Sequence, residues 1–168
     1  MLGRALSHRL ALRLALAALA GAVVAAVFLA HASSARRIAP SLPTRVRQGR
    51  AVTLAQLRGH ASAIVFWAAW CDGCRSEAPS VERFARSAPG AGHVIGVDTS
   101  DGADWRRFLR TYRWTFPVLA DPDGVTSSAY RLTGLPATVM IDPRGRIASI
   151  YYGAQTSAGL ARELAAAS

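Results

Sequence analysis

WAAWCDGCRSEAP, Trp67 to Pro79, holds both cysteines of this 168-residue chain, Cys71 and Cys74. Just before it, AIVFW (Ala63 to Trp67) is a short apolar run with β-branched and aromatic residues, so it reads as a buried strand. A C-x-x-C pair directly after such a strand falls at the start of a helix. There the unpaired N–H groups and the partial positive charge stabilise a thiolate. Cys71 is therefore expected to be the attacking nucleophile, with a lowered pKa. Cys74, one turn along, is placed to resolve the mixed disulfide. Two other uses of the pair fit less well. A zinc site needs two more ligands; no second cysteine pair exists, and none of His8, His31, His60 and His93 follows the third strand. An inert disulfide across two residues closes too small a loop to stabilise much.

The formal charge is +10 and all 20 basic residues are arginine. Eight of them precede residue 51, while from there onward 12 arginines face 10 acids. The excess thus belongs to the N-terminal stretch and not to the globular part. No helix is expected to carry a dense basic face beside aromatics, which argues against nucleic acid as a partner.

Residues 1–13 form a basic flank with Arg4, Arg9 and Arg13. Residues 14–31 read as a transmembrane anchor or signal peptide, with LALAALAGAVVAAVFLA (Leu14 to Ala30) as an uncharged run about 25 Å long if helical. An uncleaved anchor is favoured, because the run exceeds a usual signal core. The alternative is a secreted form cut near Ala32, at Ala30-His31-Ala32. Arginines flank both ends, so the charge rule alone leaves the orientation open. Residues 32–50, rich in Ser, Pro and Arg, read as a linker, and residues 51–168 as the catalytic domain.

Within that domain, Val52 to Leu57 reads as a short edge element. A helix runs from the cysteines towards Ala88, with Pro79 inside it as a kink. Val94 to Val97 is a strand, followed by an amphipathic helix from Asp101 to Tyr112 whose apolar face carries Trp105, Phe108, Leu109 and Tyr112. Phe116 to Leu119 is a brief strand and Ser127 to Leu132 a brief helix. Strands at Thr138 to Ile141 and Ile147 to Tyr151 are joined by the turn Asp142 to Gly145, and a last helix spans Thr156 to Ala167. This order indicates an α/β fold with helices around a mixed sheet.

Four stretches together carry a resemblance to the TlpA/ResA/CcmG-type reductases of bacterial envelopes, within the thioredoxin superfamily. They are VTLAQLRGH (Val52–His60), FWAAWCDGCRSEAP (Phe66–Pro79), FPVLADPDG (Phe116–Gly124) and YRLTGLPATVMIDPRGRI (Tyr130–Ile147). The resemblance covers roughly Val52 to Ala167. It implies a thioredoxin fold with an inserted helix-bearing segment, tethered to the membrane on its outer side. It also implies a cis bond between Leu135 and Pro136, and substrate contact through Trp70, Leu135 and Pro136. Glu77, about a turn beyond Cys74, is implied to help move the cysteines' protons. In ordinary thioredoxins that task falls to an aspartate six residues before the first cysteine, where Val65 stands here.

Family members commonly have proline between the cysteines, whereas this chain has Asp72-Gly73. Asp72 is expected to oppose the neighbouring thiolate and Gly73 to loosen the turn, both favouring an electron donor. The expected function is a thiol–disulfide oxidoreductase that reduces disulfides of extracytoplasmic proteins such as apocytochrome c. A membrane thiol protein would recharge it, with no cofactor beyond the Cys71–Cys74 pair and no metal. Two alternatives are a disulfide-forming oxidase of the same fold and a copper-binding assembly factor. The latter would have three residues between its cysteines and a distal histidine. A peroxidase on a related fold would carry Thr or Ser before its cysteine.

Overall fold

A computed structural model describes residues 18, 19, 21, 22, 36–100 and 102–168. The chain divides into two units, Met1–Arg36 and Arg37–Ser168. The expected membrane helix lies almost wholly outside the described residues. Among the described residues no helix is long and apolar enough to cross a membrane.

The second unit is organised by β2 (Ser62–Trp67), whose six residues are all buried. Such a strand needs cover on both faces, which explains its near-continuous apolar run. It pairs in parallel with β3 (Val94–Asp98) and antiparallel with β5 (Ala137–Ile141). The full sheet adds β1 (Val46–Gln48), β4 (Val118–Ala120) and β6 (Ile147–Tyr152), in the order β1-β4-β3-β2-β5-β6. This is the thioredoxin-like α/β arrangement.

Alternation along β2 separates two cores. Ala63, Val65 and Trp67 pack with both cysteines, Ala78, Val81 and Phe84 on one face. Ile64 and Phe66 pack on the other with Tyr130, Val139 and Ile141. Helices α2 (Asp72–Arg86) and α5 (Ser157–Ala167) pack against each other. In α2 the buried residues Cys74, Ala78 and Val81 recur at helical spacing. Pro79 is exposed and lies inside this helix, which runs on to Arg86. A crossover from β3 through α3 (Trp105–Tyr112) leads to β4, which pairs with β3 in parallel.

Several expectations are corrected. The stretch 32–50 is not merely a linker: from Arg37 onward it belongs to the folded unit. Ala39 and Leu42 are buried, and β1 pairs with β4. Arg47 holds the fully buried Asp98 through Nε at 3.0 Å, and donates to the Ser100 carbonyl at 3.2 Å. The expected edge element at Val52 to Leu57 is instead a helix, α1 (Leu54–Leu57). Its cause is the Thr53-x-x-Gln56 capping box, in which Thr53 N–H donates to Gln56 Oε1 at 2.9 Å. The helix expected at Ser127 begins earlier, as α4 (Val125–Ala129). Asp121 accepts from the backbone N–H groups of Thr126 and Ser127 at 2.9 and 2.8 Å, which fixes that start. The helix expected from Asp101 begins at Trp105.

Candidate active site

Strand β2 ends at Trp67 and the chain reaches Cys71 through a loop braced from three sides. Ala69 N–H donates to Ser100 Oγ at 2.9 Å, Arg75 Nη1 donates to the Ala69 carbonyl at 2.9 Å, and Cys71 N–H donates to the Ala68 carbonyl at 3.2 Å. Cys71 then caps α2: its extended backbone stops the helix, and its Sγ accepts the Cys74 N–H at 3.1 Å. A sulfur accepting that N–H is what the helix terminus offers a thiolate. Cys71 and Cys74 form a disulfide with Cα atoms 5.2 Å apart. Both cysteines are buried, while Trp70 beside them is 67% exposed.

The Leu135–Pro136 peptide bond is cis. Pro136 lies over the first turn of α2: a Cβ placed on Gly73 would come within 2.9 Å of Pro136 Cδ. Gly73 therefore does not simply loosen the turn as expected; its missing side chain admits the proline ring. Asp72 also differs from expectation. It pairs with the Arg75 guanidinium, and with both groups solvent-accessible its effect on Cys71 is offset and screened.

Glu77 is only 2% exposed, so it is not a solvated helix acid. Its Oε1 accepts the backbone N–H of Gln155 at 3.0 Å. Burial pushes the Glu77 carboxyl up to about 7, against the smaller downward pull of that hydrogen bond. A carboxyl that titrates near neutrality can take a proton from a thiol and return it. Val65, at the position of the thioredoxin aspartate, sits in the core with the cysteines and directly opposite Thr138 on β5. Thr138 Oγ1 and Trp67 Nε1 are buried with no hydrogen-bond partner among the described residues.

The structure thus brings Cys71, Cys74, Gly73 and Pro136 together, with buried Glu77 three residues beyond Cys74 on α2 and Trp70 and half-buried Leu135 nearby in sequence. Sequence reasoning missed Gln155 and Ser100, whose contacts join residues 78 and 31 positions apart. It also missed the basic outer face of α3, where Arg106, Arg107 and Arg110 are exposed beside Trp105. The pattern WRRFLRTYR was the available signal.

A redox-closed C-x-x-C at a helix start, on this fold, defines a thioredoxin-like dithiol–disulfide protein. The chain belongs to the AhpC/TSA family, whose model matches residues 35–150. It is 28% identical over 130 residues to thioredoxin-like protein YneN of Bacillus subtilis, covering 75% of this chain and 76% of that protein. It is 27% identical over 120 residues to the thiol-disulfide oxidoreductase ResA of the same organism, covering 70% of this chain and 67% of ResA. Among solved structures, one from Chlorobium tepidum assigned as thiol:disulfide interchange protein DsbE superposes with a TM-score of 0.69 at 28% identity, covering 79% of this chain and 97% of that one. With its cysteine pair in place, the chain is a thiol–disulfide oxidoreductase of this type.

Proposed function

We propose that this oxidoreductase works as a dithiol reductase of disulfides in extracytoplasmic proteins, held at the membrane by its N-terminal segment. One observation supports the direction: both cysteines are buried, with the buried carboxyl of Glu77 about one turn beyond Cys74. Burial disfavours a thiolate, and an ionised carboxylate nearby disfavours it further. A strong oxidant needs the opposite, a reduced form held by a very stable thiolate.

In this reading the Cys71 thiolate attacks one sulfur of the substrate disulfide. That bond breaks, one substrate thiolate leaves, and a mixed disulfide forms. Cys74 gives its proton to Glu77 and attacks Cys71 Sγ. The Cys71–Cys74 bond closes, the second substrate thiolate leaves, and two electrons have passed to the substrate. Its two thiolates take up the protons. Trp70, Leu135 and Pro136 supply the surface and backbone that receive the substrate strand. A membrane thiol protein returns two electrons to the pair, and apocytochrome c is the substrate class that the resemblance to envelope reductases suggests.

Trapping tests the chemistry. Cys74→Ser should hold a substrate in a mixed disulfide through Cys71, and Cys71→Ser should abolish turnover. Trapping through Cys74 in an active Cys71→Ser variant would sink the assignment. A phosphatase fused after Ser168 should be active, with the protein retained on membranes after a salt wash. A soluble form starting at Ser33 would instead show cleavage after Ala32.

A further inference from the structure

Arg106, Arg107 and Arg110 on α3, and Arg113 at its C-cap, are all exposed and have no ion-pair partner among the described residues. By contrast Arg47, Arg75 and Arg86 are neutralised by Asp98, Asp72 and Glu82. A groove of about 620 Å³ runs between α3 and the cysteine loop, with Ala69, Trp70 and Arg75 on one wall and Arg107, Phe108 and Tyr112 on the other. Among the described residues, Asp104 is the one carboxylate lining it. On the other side of α3 a second groove of about 520 Å³ takes in Arg106, Arg110 and Arg113. Arg106 lies over the Trp105 ring, 4.5 Å from its centroid, which helps fix the guanidinium in place.

We propose that the disulfide-bearing partner is an acidic polypeptide, docked by carboxylates along α3 while its disulfide meets Cys71. The proposal rests on the exchange chemistry above and narrows its substrate class. Uncompensated arginines present planar forks suited to carboxylates. A polypeptide fits better than a lipid surface on two grounds. The groove is concave with aromatic walls, which a planar headgroup layer would not enter. Its other wall is the loop leading to Cys71, so a chain held there by Arg107 brings a sulfur towards the nucleophile, while carboxylates flanking it cross α3 to Arg106, Arg110 and Arg113. The eight residues of α3 span about 12 Å, the reach of three to four extended residues. The partner's acids therefore fall within about four positions of one another.

The test uses the full chain in neutral detergent. Three peptides of one sequence, each with an internal disulfide, carry flanks of glutamate, serine or lysine. Reduction by the dithiol protein is followed by kcat/KM, and binding separately by fluorescence anisotropy. At low salt the glutamate peptide should exceed the lysine peptide about tenfold in both readouts, and salt should close the gap. The triple variant Arg107→Glu, Arg110→Glu, Arg113→Glu should reverse the order. The corresponding Arg→Gln variant should flatten it, and serves if charge reversal prevents folding. Equal values for the three flanks, or an order unchanged in the variants, overturns the proposal. If no peptide is reduced, the exchange reading fails separately and the anisotropy order still decides the docking surface. Anionic phospholipid vesicles and a single-stranded oligonucleotide enter the same assay. Arginine-dependent binding of either, tighter than that of the glutamate peptide, also overturns the proposal.

Discussion

The Glu77 carboxylate accepts the backbone N–H of Gln155 at 3.0 Å, tying the middle of α2 to the turn between β6 and α5. This bond favours the ionised acid, yet burial outweighs it and holds the carboxyl near 7. The group therefore changes charge close to neutral pH, about one turn along α2 from a pair whose chemistry moves protons.

Stability should follow that titration. The folded-state value of about 7 lies above the ordinary 4.5. The folded protein thus binds more protons than the unfolded chain between those values. The contribution is complete below about 4.5 and is lost as pH rises through 7, amounting to about 3 kcal/mol. Urea unfolding at pH 5 and pH 8 should show this loss in the parent and not in Glu77→Gln, which keeps the acceptor for Gln155. Equal pH dependence in both proteins would place the titration elsewhere.

The rate should carry the same signature. Glu77→Gln should lower the resolving step by about 10²-fold or more and remove an inflection near pH 7 from its pH–rate profile. A profile that keeps the inflection would return Glu77 to a structural role.

The cysteine motif and its flanking strand were legible because they combine local signals: an apolar run, a helix start and characteristic spacing. Periodicity also found β3, β5, β6 and α5. What escaped depends on tertiary contact. Strand β1 is three largely polar residues, made a strand by pairing with β4 and by the Arg47–Asp98 ion pair. Helix α1 was readable from its capping box, although Val52 to Leu57 read only as a short edge element. Gly73 looked like a flexible substitution; its packing under Pro136, 63 positions away in sequence, is a fact of the folded chain.

A chain truncated to begin at Ala51 should be strongly destabilised. It loses buried Ala39 and Leu42, leaves β4 as an open edge, and strands the buried Asp98 carboxylate without Arg47. Removing one partner of such a pair costs about 3–5 kcal/mol by itself. A cooperative thermal transition at the parent's temperature would show residues 37–50 to be dispensable.

Gly73→Ala should be harmful although it adds one methyl. The new Cβ would meet Pro136 Cδ at 2.9 Å, and neither the ring nor the helix start yields easily. A loss of about 1–3 kcal/mol is expected in the urea midpoint, with slower exchange. Unchanged stability and rate would mean that the proline loop moves freely.

The reduction potential of the Cys71–Cys74 pair, measured by equilibration with glutathione, tests the central claim most directly. Burial and the buried carboxyl about a turn beyond Cys74 oppose the thiolate that the Cys74 N–H favours at Cys71, so a reductase pair should lie towards the thioredoxin end of the scale, about −270 mV, and far from the strong oxidant's value of about −120 mV. That gap of about 150 mV is roughly 7 kcal/mol for two electrons, wide enough for one titration to separate the cases. A potential above about −170 mV would contradict the reductase and favour an oxidase.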